Sequence, residues 1–406
     1  MTYLLTYTAN FLLVVLGVFV KNAFNVVERL IVEHQMEGVQ RHKIMMKTYN
    51  FSAGPGVMPE EVITQITQAF ETNAHTHMSI IEISHRSKQF QTIITDAEKK
   101  LRELMHISDE YAIVFLQGGG STQFEMIPLN FATKHHSIAL LDSGNFAEKA
   151  AEAAKQLGNK VSILNSTKDK HYQKLPLLPD NFDAAAADYL HIVTNNTIEG
   201  ATFHQNNLPK TAGRLVADMS SNILAEPYNV SDFDAIFAGG QKNLGPAGVT
   251  VAIIKKSWLT EQDLAGVGPM MRYQNHIDKQ SMYNTPPVFA IYALNLVLDW
   301  VIQQGGVTEM YRRNLEKAAR LYAYLDQSEF YTAPVEVSAR SLTNIVFTTG
   351  DLEKDKVIAK QATEAGLFNL NGHRSVGGFR ASLYNAQPMS AVDALIAFLQ
   401  KVEQQA

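Results

Sequence analysis

Short apolar runs that end in small or polar residues recur through the middle of the chain. Three of them are residues 111–116, 137–141 and 189–193. Continuous apolar runs of this length are typical of strands buried on both faces of a mostly parallel sheet. Segments rich in Ala, Glu and Lys, such as residues 147–157, lie between the runs and predict helices. The pattern therefore predicts an α/β fold, in which ligands bind beyond the carboxyl ends of the strands.

The pattern changes after Gly305 and Gly306. A helical run at 309–325 precedes short strands near 343–348 and 379–384, and a final helix at about 390–404. These elements predict a smaller α+β domain. We expect a large domain over residues 60–304, a small domain built from 45–59 and 305–406, and an N-terminal extension over residues 1–44.

The N-terminal extension is the anomalous part of the chain. Residues 4–20 are apolar and almost uncharged, and a run of about 17 residues is at the lower limit for a membrane span. No Lys or Arg precedes Lys21, and no convincing cleavage site follows, so a signal peptide is not favoured. We expect the functional polypeptide to begin near Met45 or Met46; a membrane anchor through residues 4–20 is the alternative.

Composition excludes several classes of chemistry. The chain has no cysteine, which excludes disulfides, thiolate metal sites and a cysteine nucleophile. Its 35 basic and 40 acidic residues give a formal charge of −5, so no general affinity for nucleic acid is implied. No His cluster has the spacing of a metal site, and we predict none. The 46% hydrophobic and 18% charged residues are typical of a soluble globular enzyme.

One lysine in a loop of small residues is the main candidate for catalysis. An apolar run at 234–237 leads through Ala238 and two glycines to Lys242, and a second run at 214–217 ends in Asp218. Pyridoxal phosphate (PLP) chemistry needs a lysine that forms a Schiff base and an acid that keeps the pyridine nitrogen protonated. A surface lysine and a helix-capping aspartate are the alternative interpretation of this pair.

Further candidates follow other predicted strands. The glycine loop at 118–122 opens a helix and is suited to a phosphate, although an ordinary glycine turn has the same sequence. Phe146 is placed to stack on a flat cofactor and Thr197 to donate to a ring oxygen, unless they are a core aromatic and a helix cap. Their common position at strand ends predicts one shared site.

Several arginines stand near histidines or glycines. Arg86 follows His85, while Arg374 follows His373 and precedes Arg380 by six positions. The planar guanidinium suits carboxylates and phosphates, so the group points to a small polyanionic substrate. Taken singly, each is more commonly a solvated or salt-bridged surface residue.

From about Tyr49 onward the chain resembles the phosphoserine aminotransferases, a class V, fold-type-I family of PLP enzymes. The resemblance rests on motifs, in order, at residues 50–55, 84–86, 118–120, 240–248, 284–287 and 372–382. It implies a large domain with a mostly parallel sheet flanked by helices and a smaller C-terminal α+β domain. It also implies a cytoplasmic homodimer with shared active sites that binds neither nucleic acid nor membrane.

The resemblance also implies a role for each candidate in the cofactor site. The implied cofactor-binding residues are Gly120, Ser121, Phe146, Thr197, Asp218, Gln241 and Lys242, with Asn284 and Thr285 from the neighbouring subunit. Lys242 carries the Schiff base and shuttles a proton, Asp218 pairs with the pyridinium nitrogen, and Gln241 helps to hold the phosphate. Many members have Trp at the position of Phe146, and some have Arg at that of Ser121.

The implied reaction is a ping-pong transamination from L-glutamate to 3-phosphohydroxypyruvate, which gives O-phospho-L-serine and 2-oxoglutarate in serine biosynthesis. A phosphorylated hydroxythreonine on the route to PLP is a second expected substrate. Arg380 binds the α-carboxylate. The phosphate, or the side-chain carboxylate of glutamate, is bound by Arg86 with His85, and by His373 and Arg374 from the partner.

Two other functions stay open at this point. A serine–pyruvate or alanine–glyoxylate type transaminase would share the lysine and aspartate but would not need the phosphate-binding arginines. A membrane-tethered, non-catalytic binding protein would account for the apolar N-terminus, but it would have no need of both Lys242 and Asp218.

Overall fold

The computed structural model describes residues 47–72 and 77–405. Its contacts divide the chain into two units, Met1–Tyr49 and Asn50–Ala406. Only residues 47–49 of the first unit are described, so the predicted extension over 1–44 and the anchor over 4–20 lie outside the described residues. Apart from Tyr49, the first residue of the first strand, all of the elements discussed below belong to the second unit.

The strands agree closely with the apolar runs of the sequence. They are β1 (Tyr49–Asn50), β2 (Tyr111–Leu116), β3 (Ser137–Asp142), β4 (Lys160–Ser166), β5 (Tyr189–Val193), β6 (Leu215–Asp218), β7 (Ala235–Gly239), β8 (Thr250–Lys255), β9 (Asn344–Phe347), β10 (Leu367–Phe368) and β11 (Phe379–Ser382).

The main sheet of this described part has the strand order β2-β8-β7-β6-β5-β3-β4. The neighbours from β7 through β6, β5 and β3 to β4 are parallel, whereas β8 is antiparallel to both β2 and β7. This confirms the predicted α/β class with a mostly parallel sheet. Because the parallel strands point the same way, the residues that follow them are brought to one edge.

Helices follow most of the strands. They are α1 (Glu60–Glu71), α2 (Lys88–Met105), α3 (Gly119–Phe131), α4 (Asn145–Gln156), α5 (Lys256–Leu259), α6 (Tyr273–Asp278), α7 (Val288–Gln303), α8 (Gly306–Leu325), α9 (Leu352–Glu364) and α10 (Met389–Glu403). Within residues 47–72 and 77–405, no single helix has the length and apolar character to cross a membrane, though α7 and α8, bent by 80°, pass that test as a pair.

Alternate side chains of each central strand enter different hydrophobic cores. On β2, Ile113 and Phe115 join a cluster with residues of α2 and α7. Val114 and Leu116 point to the opposite face, in a cluster with residues of α3 and α4. The two-residue period of a strand produces this division, and burial on both faces explains why β2 is apolar at every position.

The C-terminal elements form a smaller layer around the antiparallel pair β9 and β11, where Phe347 and Phe379 stack with centroids 4.9 Å apart. A buried side chain links this pair to the main sheet, because Asn195 Nδ2 donates to Asn344 Oδ1 at 2.8 Å. These contacts hold β11 beside the loop that follows β5. The division into large and small domains stays a prediction.

The predicted boundaries are shifted by a few residues in several elements. The helix expected at 147–157 begins earlier, at Asn145, and that expected at 309–325 begins at Gly306. The strand expected at 379–384 ends at Ser382. β1, β4, β8 and β10 were not among the predicted strands. The half-exposed burial of β4 explains its mixed sequence, since an edge strand needs no continuous apolar run.

A buried lysine of α8 fixes the segment that follows β11. Lys317 is 2% exposed, and its Nζ donates to the carbonyls of Leu383 at 3.1 Å, Tyr384 at 2.8 Å and Gln387 at 3.1 Å. Tyr384 in turn donates from Oη to the carbonyl of Ala53 at 2.6 Å. The Tyr384 carbonyl also accepts from Gln387 N at 2.9 Å, so the buried ammonium group of Lys317 is one of the donors that hold this segment.

We predict that Lys317→Met lowers the free energy of unfolding by about 3 kcal/mol, because three buried hydrogen bonds from Lys317 would be lost while the side-chain volume is kept; only the Tyr384 carbonyl would keep its other donor, Gln387 N. Urea unfolding followed by circular dichroism measures the change. The matched control is Lys360→Met on α9, an exposed lysine, which should change stability little. Equal stabilities for the two variants would contradict the assigned role of Lys317.

Candidate active site

The loop after β7 places Lys242 at the edge of the sheet where the parallel strands end. Gly240 N donates to Val249 O at 2.8 Å, and Lys242 N donates to Gly240 O at 2.8 Å. A Cβ on Gly240 would stand 2.8 Å from that same Val249 carbonyl, so the close approach of these two segments requires glycine. The packing of this turn therefore requires a glycine at position 240, two residues before the lysine.

The Lys242 amine is buried and held in one direction. The residue is 9% exposed, and its Nζ donates to Thr197 Oγ1 at 2.7 Å. The same Nζ is 5.5 Å from the centroid of the Phe146 ring. Burial, together with the charge of Arg380 and against the opposing charge of Asp218, lowers the pKa of Lys242 to about 8. Near neutral pH, a larger fraction of this amine is neutral than in an exposed lysine.

Asp218 ends β6 and is 5% exposed. Its Oδ1 accepts from Ser220 N at 2.9 Å. Burial raises the pKa of Asp218, while Ser220 and Lys242 act in the opposite direction. Among residues 47–72 and 77–405, no cation lies within ion-pair distance of this carboxylate. A protonated ring nitrogen would supply the missing positive charge.

The N-terminus of α3 forms the end of the site suited to an anion. Gly118 precedes the helix with a φ of 95°, and Gly120 and Ser121 lie in its first turn. First-turn amides have no acceptor inside the helix, and the helix dipole favours negative charge there. A Cβ on Gly120 would stand 4.0 Å from Asp218 Oδ2, so a side chain would fill the space between the helix end and the carboxylate.

These groups share one cavity of about 270 Å³. It is lined by Ala53, Gly54, Gly120, Ser121, Phe124, Phe146, Lys149, Val193, Asn195, Thr197, Ile198, Asp218, Ser220, Ser221, Gly239, Gln241, Lys242, His373 and Arg380. An amine, an unpaired buried acid, an aromatic face and a helix N-terminus fit the aldehyde, ring nitrogen, ring and phosphate of PLP respectively. The residues present therefore fit this cofactor.

Arg380 presents a guanidinium to the same cavity from β11. Its Nη1 donates to the carbonyl of Thr197 at 3.3 Å, while its Nε is buried without a hydrogen-bond partner. Burial lowers the pKa of Arg380, and nearby Tyr384 and Glu199 oppose that shift. A buried guanidinium with an unused donor is suited to a carboxylate ligand.

Glu199 supports the site although the sequence did not single it out. Its Oε1 accepts from Asn145 N, the first residue of α4, at 2.9 Å, which caps the helix that carries Phe146. A Cβ on Gly144 would stand 2.6 Å from Glu199 Oε2, so this contact needs glycine. Burial raises the pKa of Glu199 to about 7, and the Asn145 amide opposes the rise.

Several predicted site residues do not reach this cavity within the chain. His85 and Arg86 lie in the turn before α2, with Arg86 exposed. Asn284 lines a second cavity of about 220 Å³, and the carbonyl of Thr285 accepts from Gln117 Nε2 at 3.1 Å. Arg374 is exposed and does not line the Lys242 cavity.

His373 differs from the expectation in another way. We expected it from the partner subunit, but its ring lines the Lys242 cavity of its own chain. Its loop is held there by β11, the strand that also carries Arg380: Gly372 N donates to Gly378 O at 2.8 Å, one residue before that strand begins at Phe379. The loop brings an imidazole to the cavity without a second chain.

Other residues that line the cavity are near the predicted ones but were not themselves predicted. Ser220 and Ser221 follow Asp218 directly, and Lys149 stands three positions after Phe146 on α4. One helical turn separates positions i and i+3, so the spacing of Lys149 from Phe146 was the available signal. Asn195 and Ala53 carry no comparable signal in the sequence.

The chain matches the family model Aminotransferase class-V over residues 48–395. The chain belongs to the class-V aminotransferase family. This family is PLP-dependent, which agrees with the fit of the cavity residues to that cofactor. The match covers every residue that lines the Lys242 cavity.

Several relatives of this class-V aminotransferase are named for a particular reaction within the family. The phosphoserine aminotransferase of Leuconostoc mesenteroides subsp. mesenteroides is 68% identical over 88% of this chain and 99% of its own. A phosphoserine aminotransferase structure that records radiation damage of the Schiff base is 40% identical, with a TM-score of 0.85 over 89% of this chain and 100% of that one. The PLP-bound phosphoserine aminotransferase of Trichomonas vaginalis is 35% identical, with a TM-score of 0.81 over 87% and 100%.

We predict that Lys242 in the cofactor-free aminotransferase titrates with a pKa of about 8. Arg380→Gln should raise this pKa because it removes a neighbouring cation, and Asp218→Asn should lower it because it removes a neighbouring anion. Competitive labelling with a trace amine-reactive reagent, read by mass spectrometry across pH, measures the shift, with exposed Lys360 as internal reference. Titration of Lys242 together with Lys360 would contradict the assignment.

Proposed function

We propose that this protein is a phosphoserine aminotransferase, which transfers the amino group of L-glutamate to 3-phosphohydroxypyruvate and gives O-phospho-L-serine and 2-oxoglutarate. The observation that carries the proposal is the presence of Lys242, Asp218 and Arg380 on one cavity. It is supported by relatives that are 46–68% identical and are named phosphoserine aminotransferases.

PLP, when bound, supplies an electron sink that lets an amino acid lose its α-proton. Lys242 takes and returns that proton at Nζ, because its burial and the nearby Arg380 favour the neutral amine. Thr197 directs the same nitrogen by accepting its hydrogen bond. Asp218 holds positive charge at the ring-nitrogen end of the site, where no other counter-ion is within reach among the described residues.

The positively charged side chains that line the cavity orient the substrate. Arg380 binds the α-carboxylate through a guanidinium that is already fixed against Thr197. Phe146 covers one face of the cofactor and keeps water from that side, as its ring lies within 5.5 Å of the Lys242 amine. This arrangement leaves the far end of the substrate to be bound by groups at the mouth of the cavity.

The working unit of this proposal is a cytoplasmic homodimer with shared sites. Asn284, Thr285, His85 and Arg86 do not line the Lys242 cavity of their own chain, so we assign them to the cavity of a second copy. There Asn284 and Thr285 complete the phosphate site, while His85, Arg86 and Arg374 meet the far end of the substrate. A phosphorylated hydroxythreonine is proposed as a second substrate.

We predict that Lys242→Ala lowers the turnover of L-glutamate and 3-phosphohydroxypyruvate by at least ~10³-fold, because the proton at the α-carbon would lose its base. Circular dichroism and the melting temperature should show a retained fold, with Lys360→Ala as the active control. A Lys242→Ala enzyme with near-normal turnover would remove this lysine from the mechanism.

Arg374→Ala separates the proposal from its nearest rival. A phosphoserine aminotransferase should lose affinity for 3-phosphohydroxypyruvate when a phosphate-binding guanidinium is removed, by ~10-fold or more in KM. A serine–pyruvate or alanine–glyoxylate type enzyme would be unaffected, since its substrates carry no second anion at that end. Unchanged KM together with efficient use of L-alanine would favour the rival.

A mixture of two inactive variants tests the shared site. Lys242→Ala and Arg86→Ala homodimers should each be impaired, whereas a mixed dimer regains one intact site from the lysine of one chain and the arginine of the other. Random exchange makes half of the dimers mixed, so about a quarter of wild-type activity should return. Tagged chains confirm that mixed dimers form. Formation of mixed dimers without recovered activity would contradict the sharing.

A further inference from the structure

The cavity carries a cation for which the mechanism above gives no role. Lys149 lies on α4 one turn after Phe146 and lines the cavity with it. Its Nζ is 5.2 Å from the centroid of the Phe146 ring. Lys149 is an exposed residue whose ammonium group lies near the Phe146 ring, beside the cavity that both residues line.

In the part of the chain that the structure describes, no acidic side chain is paired with this ammonium group. Its sequence neighbour Glu148 is already engaged by Lys168 and by Tyr172 Oη, the latter at 2.9 Å. Across residues 47–72 and 77–405, Lys149 forms no ion pair. The acid that does line the cavity, Asp218, lies at its ring-nitrogen end.

Several positive charges lie near His373, a residue that lines the cavity. Burial lowers the pKa of His373, and Arg380, Arg374 and Lys149 each lower it further through their charge. Three cations thus lie within electrostatic range of one imidazole. A single carboxylate on Arg380 would leave the others uncompensated, so the site is suited to a ligand with a second anionic group at this end.

The first turn of α3, which also lines the cavity, carries no positively charged side chain. Ser121, in the first turn of α3, lines the cavity with an uncharged side chain, so α3 contributes no cation from this position. Lys149, on the neighbouring helix, presents a charge from within the same chain. A phosphate carries close to two negative charges at neutral pH, so the ammonium group of Lys149 would add to the positive groups already assigned to the far end of the substrate.

We propose that Lys149 binds the distal anion of the substrate, which is the phosphate of O-phospho-L-serine and of 3-phosphohydroxypyruvate and the side-chain carboxylate of glutamate in the other half-reaction. The assignment rests on the proposed function. It makes Lys149 a residue that sets specificity for dianionic amino acids, and it supplies part of the distal anion site from the chain that carries Lys242.

The test compares Lys149→Met, which keeps the stem and removes the charge, with Lys149→Arg, which keeps the charge. Lys155→Met is the matched control, because Lys155 is an exposed lysine on the same helix that does not line the cavity. Single-turnover rates of the holoenzyme are followed by the absorbance of the bound cofactor. O-phospho-L-serine, L-glutamate and L-serine are the three ligands, and L-serine is phosphoserine without its phosphate.

We expect Lys149→Met to raise the half-saturating concentration of O-phospho-L-serine by ~10-fold, as for the loss of one charge-assisted contact, and that of L-glutamate by a smaller factor. The limiting rate should stay within a few-fold of wild type. The rate with L-serine should not change, and Lys149→Arg should retain most of the affinity for phosphoserine. Lys155→Met should behave as wild type.

Two results would overturn this assignment while leaving the proposed function intact. One is an unchanged affinity for phosphoserine in Lys149→Met; the other is an equal loss with L-serine, which would show that the lysine acts by packing on Phe146. Failure of the wild-type enzyme to react with phosphoserine at all would instead overturn the proposed function, and the role of Lys149 with it.

Discussion

Burial of an amine and a carboxylic acid at the same edge of the sheet is the constraint on which the site depends. Lys242 and Asp218 are both largely removed from water. Burial lowers the pKa of Lys242 and raises that of Asp218, so it favours the neutral form of each group. Buried charges without full partners are costly. The chain tolerates this arrangement because seven strands and two hydrophobic cores stabilise the surrounding structure.

The parallel strands give this constraint its geometry. Asp218 ends one strand and Lys242 follows the next, while Thr197 follows a third, so their side chains meet without any long loop. The N-termini of α3 and α4 approach the same space, which makes it favourable for anions. Arg380 arrives from β11 and gives the cavity a cationic side. The cavity therefore combines a buried acid, a buried amine and a guanidinium on one lining.

Much of this arrangement could be predicted from the chain because it depends on local features. The continuous apolar run at 111–116 predicted a strand buried on both faces, and the structure has that strand. Asp218 ends a strand and Lys242 follows one, as expected. β4 was missed because an edge strand is half-exposed and lacks an apolar run. Glu199 was missed because its importance depends on its contact with the first residue of α4, which no local spacing encodes. Lys149 was missed although its spacing from Phe146 places it one helical turn away.

The most direct test of the account is the visible absorbance of the purified holoprotein before and after O-phospho-L-serine is added, with L-alanine at the same concentration as the comparison. The account predicts that phosphoserine removes the absorbance band of the lysine-bound cofactor and that alanine leaves it in place. Loss of the band with alanine alone would contradict the substrate assignment. Absence of any such band after addition of PLP would contradict the assignment of Lys242 and Asp218 to a cofactor site.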